Sequence, residues 1–202
     1  APPPRLKSRG IHGVWSNALI EKTLPVAFMF AAFEIFDYTA FIFAVSYFII
    51  QSEIIFHHQV NDYEGDLKTH TDTLVVRIGK ERSLAILNRY LQPAATASAC
   101  VLFLLMSFMI RDFLVAVAAF GFGYVVIVRL IGTGRLVPED RLWPTYYNYV
   151  YHSLDTVTPS ILAFLLSLRD VSYSLFLVVT ILAQYPFLRY YVKVLRAVTS
   201  SR

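Results

Sequence analysis

The sequence predicts an all-α protein, a polytopic transmembrane helical bundle with about six membrane segments. Hydrophobic residues make up 56% of the 202-residue chain, charged residues only 16%, and the mean hydropathy is +0.54. Soluble domains carry about 25% charged residues, whereas a helix that crosses a bilayer core of about 30 Å needs roughly 20 apolar residues. Apolar runs of that length recur along the chain, which favours an integral membrane protein over a soluble one.

The apolar runs predict one transmembrane domain that occupies residues 1–202. The six segments cover about residues 14–36, 39–60, 84–110, 113–133, 147–168 and 172–195. The first segment is the weakest, because Glu21, Lys22 and Pro25 interrupt it, and its start is expected in the interface. The pairs Arg111-Asp112 and Arg169-Asp170 predict tight turns between neighbouring helices.

The basic residues predict the orientation in the membrane. Six crossings place the N-terminus, the 61–83 loop, the 134–146 loop and the C-terminus on one side. All but two of the 18 Lys and Arg residues then lie on that side, the exceptions being Arg111 and Arg169. The positive-inside rule makes it the cytoplasmic side, and the charge also favours contact with anionic lipids. Nucleic-acid binding is not expected, because no basic soluble module is present.

A pair of acidic residues at the end of the second segment is the candidate metal site. Asp62 and Asp66 are four residues apart, so a continuing helix places both on one face, with Gln59 one turn earlier. Two carboxylates at this spacing repel each other, and a hard divalent cation with oxygen ligands offsets that repulsion. The alternative is a solvated polar loop whose charges keep the helix from sliding in the membrane.

Basic residues surround this acidic pair on the same side of the membrane. The combination suits a metal-bound diphosphate, in which the carboxylates hold Mg²⁺ and the cations neutralise phosphate oxygens. The nearby cations are Arg5, Lys7, Arg9, Lys68, Arg77, Lys80 and Arg82. Farther along the chain, His152 and Asp155 lie three apart inside an apolar segment, where they pair with each other or face a cavity. Glu53, two turns before the acidic pair, is expected to face a cavity or another helix.

Three stretches carry a resemblance to a known family. Residues 62–66 (DYEGD), continued by residues 73–79 (TLVVRIG), resemble the second aspartate-rich motif of the UbiA prenyltransferase superfamily. Residues 3–10 (PPRLKSRG) resemble the segment before that family's fifth helix, and Tyr147 to Pro159 resemble the start of a late helix. The chain is therefore similar to the C-terminal part of the nine-helix UbiA bundle.

The resemblance implies transfer of a prenyl group from a polyprenyl diphosphate to an acceptor such as an aromatic ring, quinone precursor, porphyrin or sugar phosphate. It implies Mg²⁺ as cofactor, with Asp62 and Asp66 as its ligands. The substrate-binding residues that we predict around this metal are Arg5, Lys7, Gln59 and Lys68. No residue is assigned a catalytic proton transfer.

The chain also departs from the family pattern. The family's first aspartate-rich motif is absent from these 202 residues, His70 replaces the usual glycine and Val75 the usual proline. A diphosphate held from one side only loses half of its metal ligands, so this chain alone is expected to be a poor enzyme. It would be a fragment of a longer enzyme, one half of a split enzyme that needs an N-terminal partner, or an inactive homologue. An inactive homologue would serve as a structural subunit of a larger membrane complex that binds lipid, quinone or pigment.

Overall fold

The computed structural model is built from helices wherever its residues are described. Those residues are 10–110, 113–115, 118, 121–123, 126 and 158–200. The chain divides into two compact units, Ala1–Leu105 and Met106–Arg202. The all-α class predicted from the sequence is confirmed over the described part of the chain.

The first unit contains three long helical stretches and two short helices. Its elements are α1 (Ile11–Ala18), a π-helical turn (Leu19–Thr23), α2 (Leu24–Ala32), α3 (Tyr38–Asn61), α4 (Tyr63–Lys68), α5 (Leu74–Ile78), α6 (Lys80–Ile86), a second π-helical turn (Leu87–Leu91) and α7 (Gln92–Met109). The stretch α1–α2 and the stretch α6–α7 are each continuous through their π turn, and both pack against α3. Helix α3 is thus the central element of this unit.

Each π turn has a proline as its physical cause. The first ends at Thr23, two residues before Pro25, and the second ends at Leu91, two residues before Pro93. A proline has no N–H to donate, and its ring collides with the carbonyl four residues earlier. A wider turn relieves that collision, and in membrane helices such local adjustments satisfy the freed carbonyls again. The sequence interruption at Glu21–Pro25 is therefore a local widening of a helix that runs through it.

Helix α3 begins and ends with identifiable signals. Asp37 is its N-cap, and the carboxylate accepts hydrogen bonds from the N–H groups of Thr39 (2.9 Å) and Ala40 (3.2 Å). Toward its C-terminal end every residue from Ile50 to Val60 except His58 is buried. A helix that is buried on all sides belongs to the interior of a protein, so this half of α3 forms the core of the first unit.

The second unit, where described, contains a helical hairpin. Helix α8 (Thr158–Arg169) and helix α9 (Ser174–Ser200) pack against each other, joined by a short 3₁₀ turn (Val171–Tyr173). Asp170 caps that turn by accepting a hydrogen bond from the N–H of Ser172 at 2.8 Å, which lowers the pKa of its carboxyl group. The tight connection expected at Arg169-Asp170 is present.

Two described helices are long and apolar enough to cross a membrane. They are Tyr38–Asn61 and the continuous stretch Lys80–Met109, while Thr158–Arg169 and Val171–Pro186 are shorter apolar helices. Large side chains such as Phe28, Phe36 and Phe108 are 75–87% exposed, as suits contact with lipid rather than water. Most of the predicted segment 113–133 and the first half of 147–168 lie outside the described residues, so the count of six crossings stays a prediction.

Candidate functional site

The predicted acidic pair lies where α3 passes into α4. Asp62 is the residue between the two helices, and the N–H of Asp66 donates to its carbonyl oxygen at 2.8 Å. That bond is the ordinary i,i+4 bond of an α-helix, so the helical course continues across the junction and the two residues are one turn apart. Their surroundings differ, because Asp62 is exposed whereas Asp66 is only 6% exposed.

The end of α4 fixes the backbone of Asp66. The N–H of Thr71 donates to the carbonyl of Asp66 at 2.8 Å, and the N–H of His70 donates to the carbonyl of Leu67 at 3.3 Å. These two bonds form a Schellman motif, which ends a helix with one residue in the left-handed conformation. That residue is His70, with φ of 53°. The position at which the family usually has glycine therefore requires positive φ in this chain as well.

Replacing His70 with glycine is expected to stabilise the protein by about 1 kcal/mol. A residue with a β-carbon pays roughly 1–2 kcal/mol in the left-handed region, and glycine pays none, although glycine loses more entropy on folding. Thermal unfolding of the purified chain in detergent measures the gain. His12→Gly provides the control, because His12 lies in α1, where glycine is expected to destabilise by about 1 kcal/mol. A lower midpoint for His70→Gly than for the unsubstituted chain would contradict this expectation.

Helix α5 closes the motif against the start of α1. Thr73 caps α5 by accepting a hydrogen bond from the N–H of Val76 at 3.4 Å. On the exposed side Arg77 makes two hydrogen bonds to Asp72, at 2.8 and 2.6 Å, and these lower the pKa of the Asp72 carboxyl. Gly10, with φ of 58°, lies so close that a β-carbon there would be 3.2 Å from Nη1 of Arg77. The chain that enters α1 is thus held beside the acidic motif.

A cluster of apolar side chains supports this end of α3. Its buried members come from α1, α3, α5 and the second π turn, and Val75 and Leu87 are at most 1% exposed. The cluster consists of Val14, Ala18, Ile55, Phe56, Val60, Val75 and Leu87. Because Val60 and Val75 flank the acidic motif in sequence, this packing fixes α3 and α5 on either side of it. Val75, the departure from the family's proline, is fully buried.

The chain also matches a known protein family. The model of the UbiA prenyltransferase family matches residues 3–154. The chain belongs to the UbiA prenyltransferase family. No curated protein and no solved structure matches the chain. Membership in this membrane family, together with the two long apolar helices, makes the chain an integral membrane protein.

The four substrate-binding residues expected from the UbiA resemblance have different outcomes. Arg5 and Lys7 lie outside the described residues. Gln59 is 4% exposed and lies on α3 just before the acidic motif. Lys68 is exposed at the end of α4, and, two residues after Asp66, it points away from the side that Asp66 occupies. Substrate binding by all four stays a prediction, and so do the phosphate contacts of Arg5, Lys7 and Lys68.

Two other cations near the UbiA motif have acidic partners. Arg77 pairs with Asp72, and Lys80 lies 3.3 Å from Glu64 and over the ring of Tyr63. Within the described ranges no group of three or more His, Cys, Asp or Glu residues is placed to hold a metal ion. A metal at Asp62 and Asp66 would therefore complete its coordination with water and with substrate oxygens.

Helix α3 also buries polar groups that sequence reasoning did not pair. Nδ1 of His57 lies 3.3 Å from Oε1 of Glu53, and these residues are 1% and 6% exposed. Nε2 of Gln51 donates to Oε2 of Glu21 at 2.8 Å. Gln51 is ten residues from Asn61, about 15 Å along the helix, so this bond lies near the middle of α3. In the sequence, two features could have indicated these contacts. They are the polar interruption at Glu21 and the i,i+4 spacing of Glu53 and His57. The predicted pair of His152 and Asp155 lies outside the described residues.

An apolar cavity lies at the opposite end of α3. It has a volume of about 320 Å³ and is lined by residues of α2, of the α2–α3 turn and of α3, namely Val26, Met29, Phe30, Phe33, Ile35, Phe43 and Tyr47. Phe43 is about 28 Å along the helix from Asp62 at 1.5 Å per residue. The cavity is therefore separate from the acidic motif.

Proposed function

We propose that the chain is a UbiA-type membrane prenyltransferase, or half of one, which holds a polyprenyl diphosphate at the cytoplasmic end of α3. The observation that carries this proposal is the acidic motif, in which a buried Asp66 and an exposed Asp62 lie one helical turn apart inside the region matched by the family. An exposed carboxylate one turn from a buried one suits the membrane surface. There the charged diphosphate would enter from water while its prenyl tail lies in the bilayer.

The residues of the motif fit Mg²⁺. This ion takes oxygen ligands and is usually held by one or two carboxylates together with substrate phosphates and water. Asp62 and Asp66 supply two carboxylates, and the Schellman motif fixes the backbone of the second. When bound, Mg²⁺ would neutralise the negative charge that develops on the departing diphosphate. Two carboxylates with the diphosphate and water suffice to bind one Mg²⁺ ion, whereas transfer is expected to need the first aspartate-rich motif as well.

The position of Gly10 supports phosphate contacts by the N-terminal cations. Gly10 lies against Arg77 and Leu74 of α5. Lys7 and Arg5 precede Gly10 by only three and five residues in the sequence. This closeness in sequence supports their proposed role, in which they would neutralise diphosphate oxygens. The apolar helices around the site would keep water from the allylic cation.

Thermal unfolding of the full chain with farnesyl diphosphate and Mg²⁺ tests this function. A ligand at 100 times its dissociation constant stabilises the folded state by about 2.7 kcal/mol, so the midpoint should rise only when both are present. EDTA should remove the rise, and so should Asp62→Asn combined with Asp66→Asn. Glu81→Gln, which neutralises one exposed carboxylate on the first turn of α6, should keep the rise in the midpoint.

An unchanged rise with EDTA or in the double variant would refute the metal–diphosphate site. The second candidate, an inactive family member that acts as a structural subunit of a membrane complex, would then account better for the chain. Prenyl transfer itself requires the acceptor and, if the enzyme is split, the partner that carries the first aspartate-rich motif. Binding of the diphosphate is measurable without either.

A further inference from the structure

Glu21 places an exposed carboxylate inside an apolar helical stretch. It lies in the π turn Leu19–Thr23, which joins α1 to α2. The apolar residues beside it are exposed as well, with Ile20 at 57% and Leu24 at 56%. No residue of α2, which follows directly, is buried. The carboxylate therefore lies on a surface that otherwise suits lipid or another apolar helix.

A hydrogen bond from α3 fixes the level of this carboxylate in the bundle. Nε2 of Gln51, a residue that is 5% exposed, donates to Oε2 of Glu21 at 2.8 Å. An ionised carboxylate only accepts hydrogen bonds, so this contact also fixes which end of the Gln51 amide faces Glu21. Gln51 lies near the middle of α3, and α3 is long and apolar enough to cross a membrane. Glu21 thus lies near the middle of that helix, far from both of its ends.

The bond from Gln51 leaves most of the acceptor capacity of Glu21 unused. A carboxylate offers about four lone-pair sites on its two oxygens. Among the residues that the structure describes, no second hydrogen bond or ion pair reaches this carboxylate. Lys22 is adjacent in sequence, but neighbours on a helix point in different directions, and Lys22 has a contact of its own. Glu21 is therefore an ionisable group held in place with acceptor sites to spare.

Three kinds of surroundings can cover such a group in a membrane protein, namely lipid, water and protein. Lipid supplies no partner, and ionisable residues within membrane helices almost always pair with another polar group or face a water-filled cavity. Water is disfavoured because Ile20, Leu24 and Phe28 expose large apolar side chains around the carboxylate. A second copy is disfavoured as well, because a symmetric dimer brings the same patch together twice, so two Glu21 carboxylates would repel each other.

We propose that the surface around Glu21 on the α1–α2 stretch docks a membrane-spanning helix of another polypeptide, which carries an arginine or lysine at mid-span. The partner's cation would neutralise the carboxylate, and arginine can bond to both of its oxygens. Gln51 holds the carboxylate in position before the partner arrives. Apolar side chains of the partner would pack against Ile20 and Leu24. This surface is separate from the diphosphate site, and its assignment does not rest on the proposed function.

Synthetic leucine-rich transmembrane peptides of about 20 residues test the chemistry of this surface. The full chain is reconstituted in phosphatidylcholine vesicles, and energy transfer to a labelled peptide measures binding. A peptide with one central arginine should bind about tenfold more tightly than an all-leucine peptide, as expected for one polar contact between membrane helices. Moving the arginine two turns toward one end should remove most of this preference, because Glu21 lies near mid-span.

Variants of Glu21 link the preference to this carboxylate. Glu21→Gln should abolish the preference for the arginine peptide, since it keeps an acceptor for Gln51 but removes the charge. Glu34→Gln is the matched control and should keep the preference, because Glu34 is an exposed carboxylate at the end of the same stretch. Glu21→Lys should invert the preference, so that a peptide with a central glutamate binds better than the arginine peptide. An inverted preference also shows that this variant is folded.

Three outcomes would overturn the proposal. Equal binding of the arginine and all-leucine peptides to the unsubstituted chain would mean that Glu21 faces lipid without a partner. An undiminished preference in Glu21→Gln would place the cation elsewhere on the chain. Association of the chain with itself that is lost in Glu21→Gln would assign the surface to a second copy. No probe contains a diphosphate, so these results are independent of the metal–diphosphate site.

Discussion

Asp66→Asn should weaken Mg²⁺-dependent binding of farnesyl diphosphate by about a hundredfold, and Asp62→Asn by only about tenfold. Electrostatic contacts are stronger where water is excluded, and removal of one such group typically costs 10²–10³ in function. Asp66 is 6% exposed and Asp62 is exposed to solvent. The two carboxylates should therefore contribute unequally although they lie one turn apart. Dissociation constants from titrations at fixed, saturating Mg²⁺ measure the difference.

Glu81→Gln is the matched control for both single variants, and it should change the dissociation constant by less than about twofold, as expected for an exposed charge. Asparagine keeps the size of aspartate and can accept a hydrogen bond, so the variants remove charge without creating a cavity. Equal losses in the two variants, or a larger loss for Asp62→Asn, would contradict the importance of burial. They would mean that the headgroup binds on the exposed side of the motif.

Glu53→Ala should destabilise the protein by about 1–3 kcal/mol, the cost of leaving a buried polar group, here His57, without its hydrogen-bond partner. Oε1 of Glu53 lies 3.3 Å from Nδ1 of His57, and the two side chains are 7% and 1% exposed. The substitution also leaves a cavity in the central helix of the first unit. Unfolding by denaturant in mixed micelles measures the loss. Glu81→Ala, at an exposed helical position, should change the stability by less than about 0.5 kcal/mol.

A double-mutant cycle separates the pair from the cavity. Glu53→Ala, His57→Ala and the double variant should show a coupling of about 1–3 kcal/mol, as neighbouring residues in one hydrogen-bonded network do. Glu53→Gln, which keeps an acceptor at the same place, should recover a large part of the stability. Additive losses in the cycle would show that Glu53 and His57 contribute through packing alone.

The sequence was informative where a local pattern has one structural solution. The i,i+4 spacing of Asp62 and Asp66 predicts one helical turn between them, and the structure has that turn across the α3–α4 junction. The second aspartate-rich motif identified the family that the comparison then showed. Such features depend on neighbours in sequence and on backbone geometry, which are fixed before any long-range contact forms.

The sequence was less informative where a residue's surroundings depend on distant elements. The sequence indicates that Glu21 interrupts the first segment near the interface, and the structure shows that it accepts a hydrogen bond from Gln51, thirty residues later. The basic residues formed one apparent cluster, but Arg77 and Lys80 pair with Asp72 and Glu64. Composition shows which charges are available, and only the packing of helices decides which of them meet.

The sequence by itself determined that this chain is helical, apolar and a member of the UbiA family, because periodicity, composition and a short motif are local properties. The tertiary structure decided that Asp66 is buried while Asp62 faces solvent, and that Ser52 and Gln59 share one buried face of α3. Burial is set by the helices that pack around a residue, so equivalent side chains one turn apart can differ in it completely. That difference is the basis of the diphosphate site proposed for this protein.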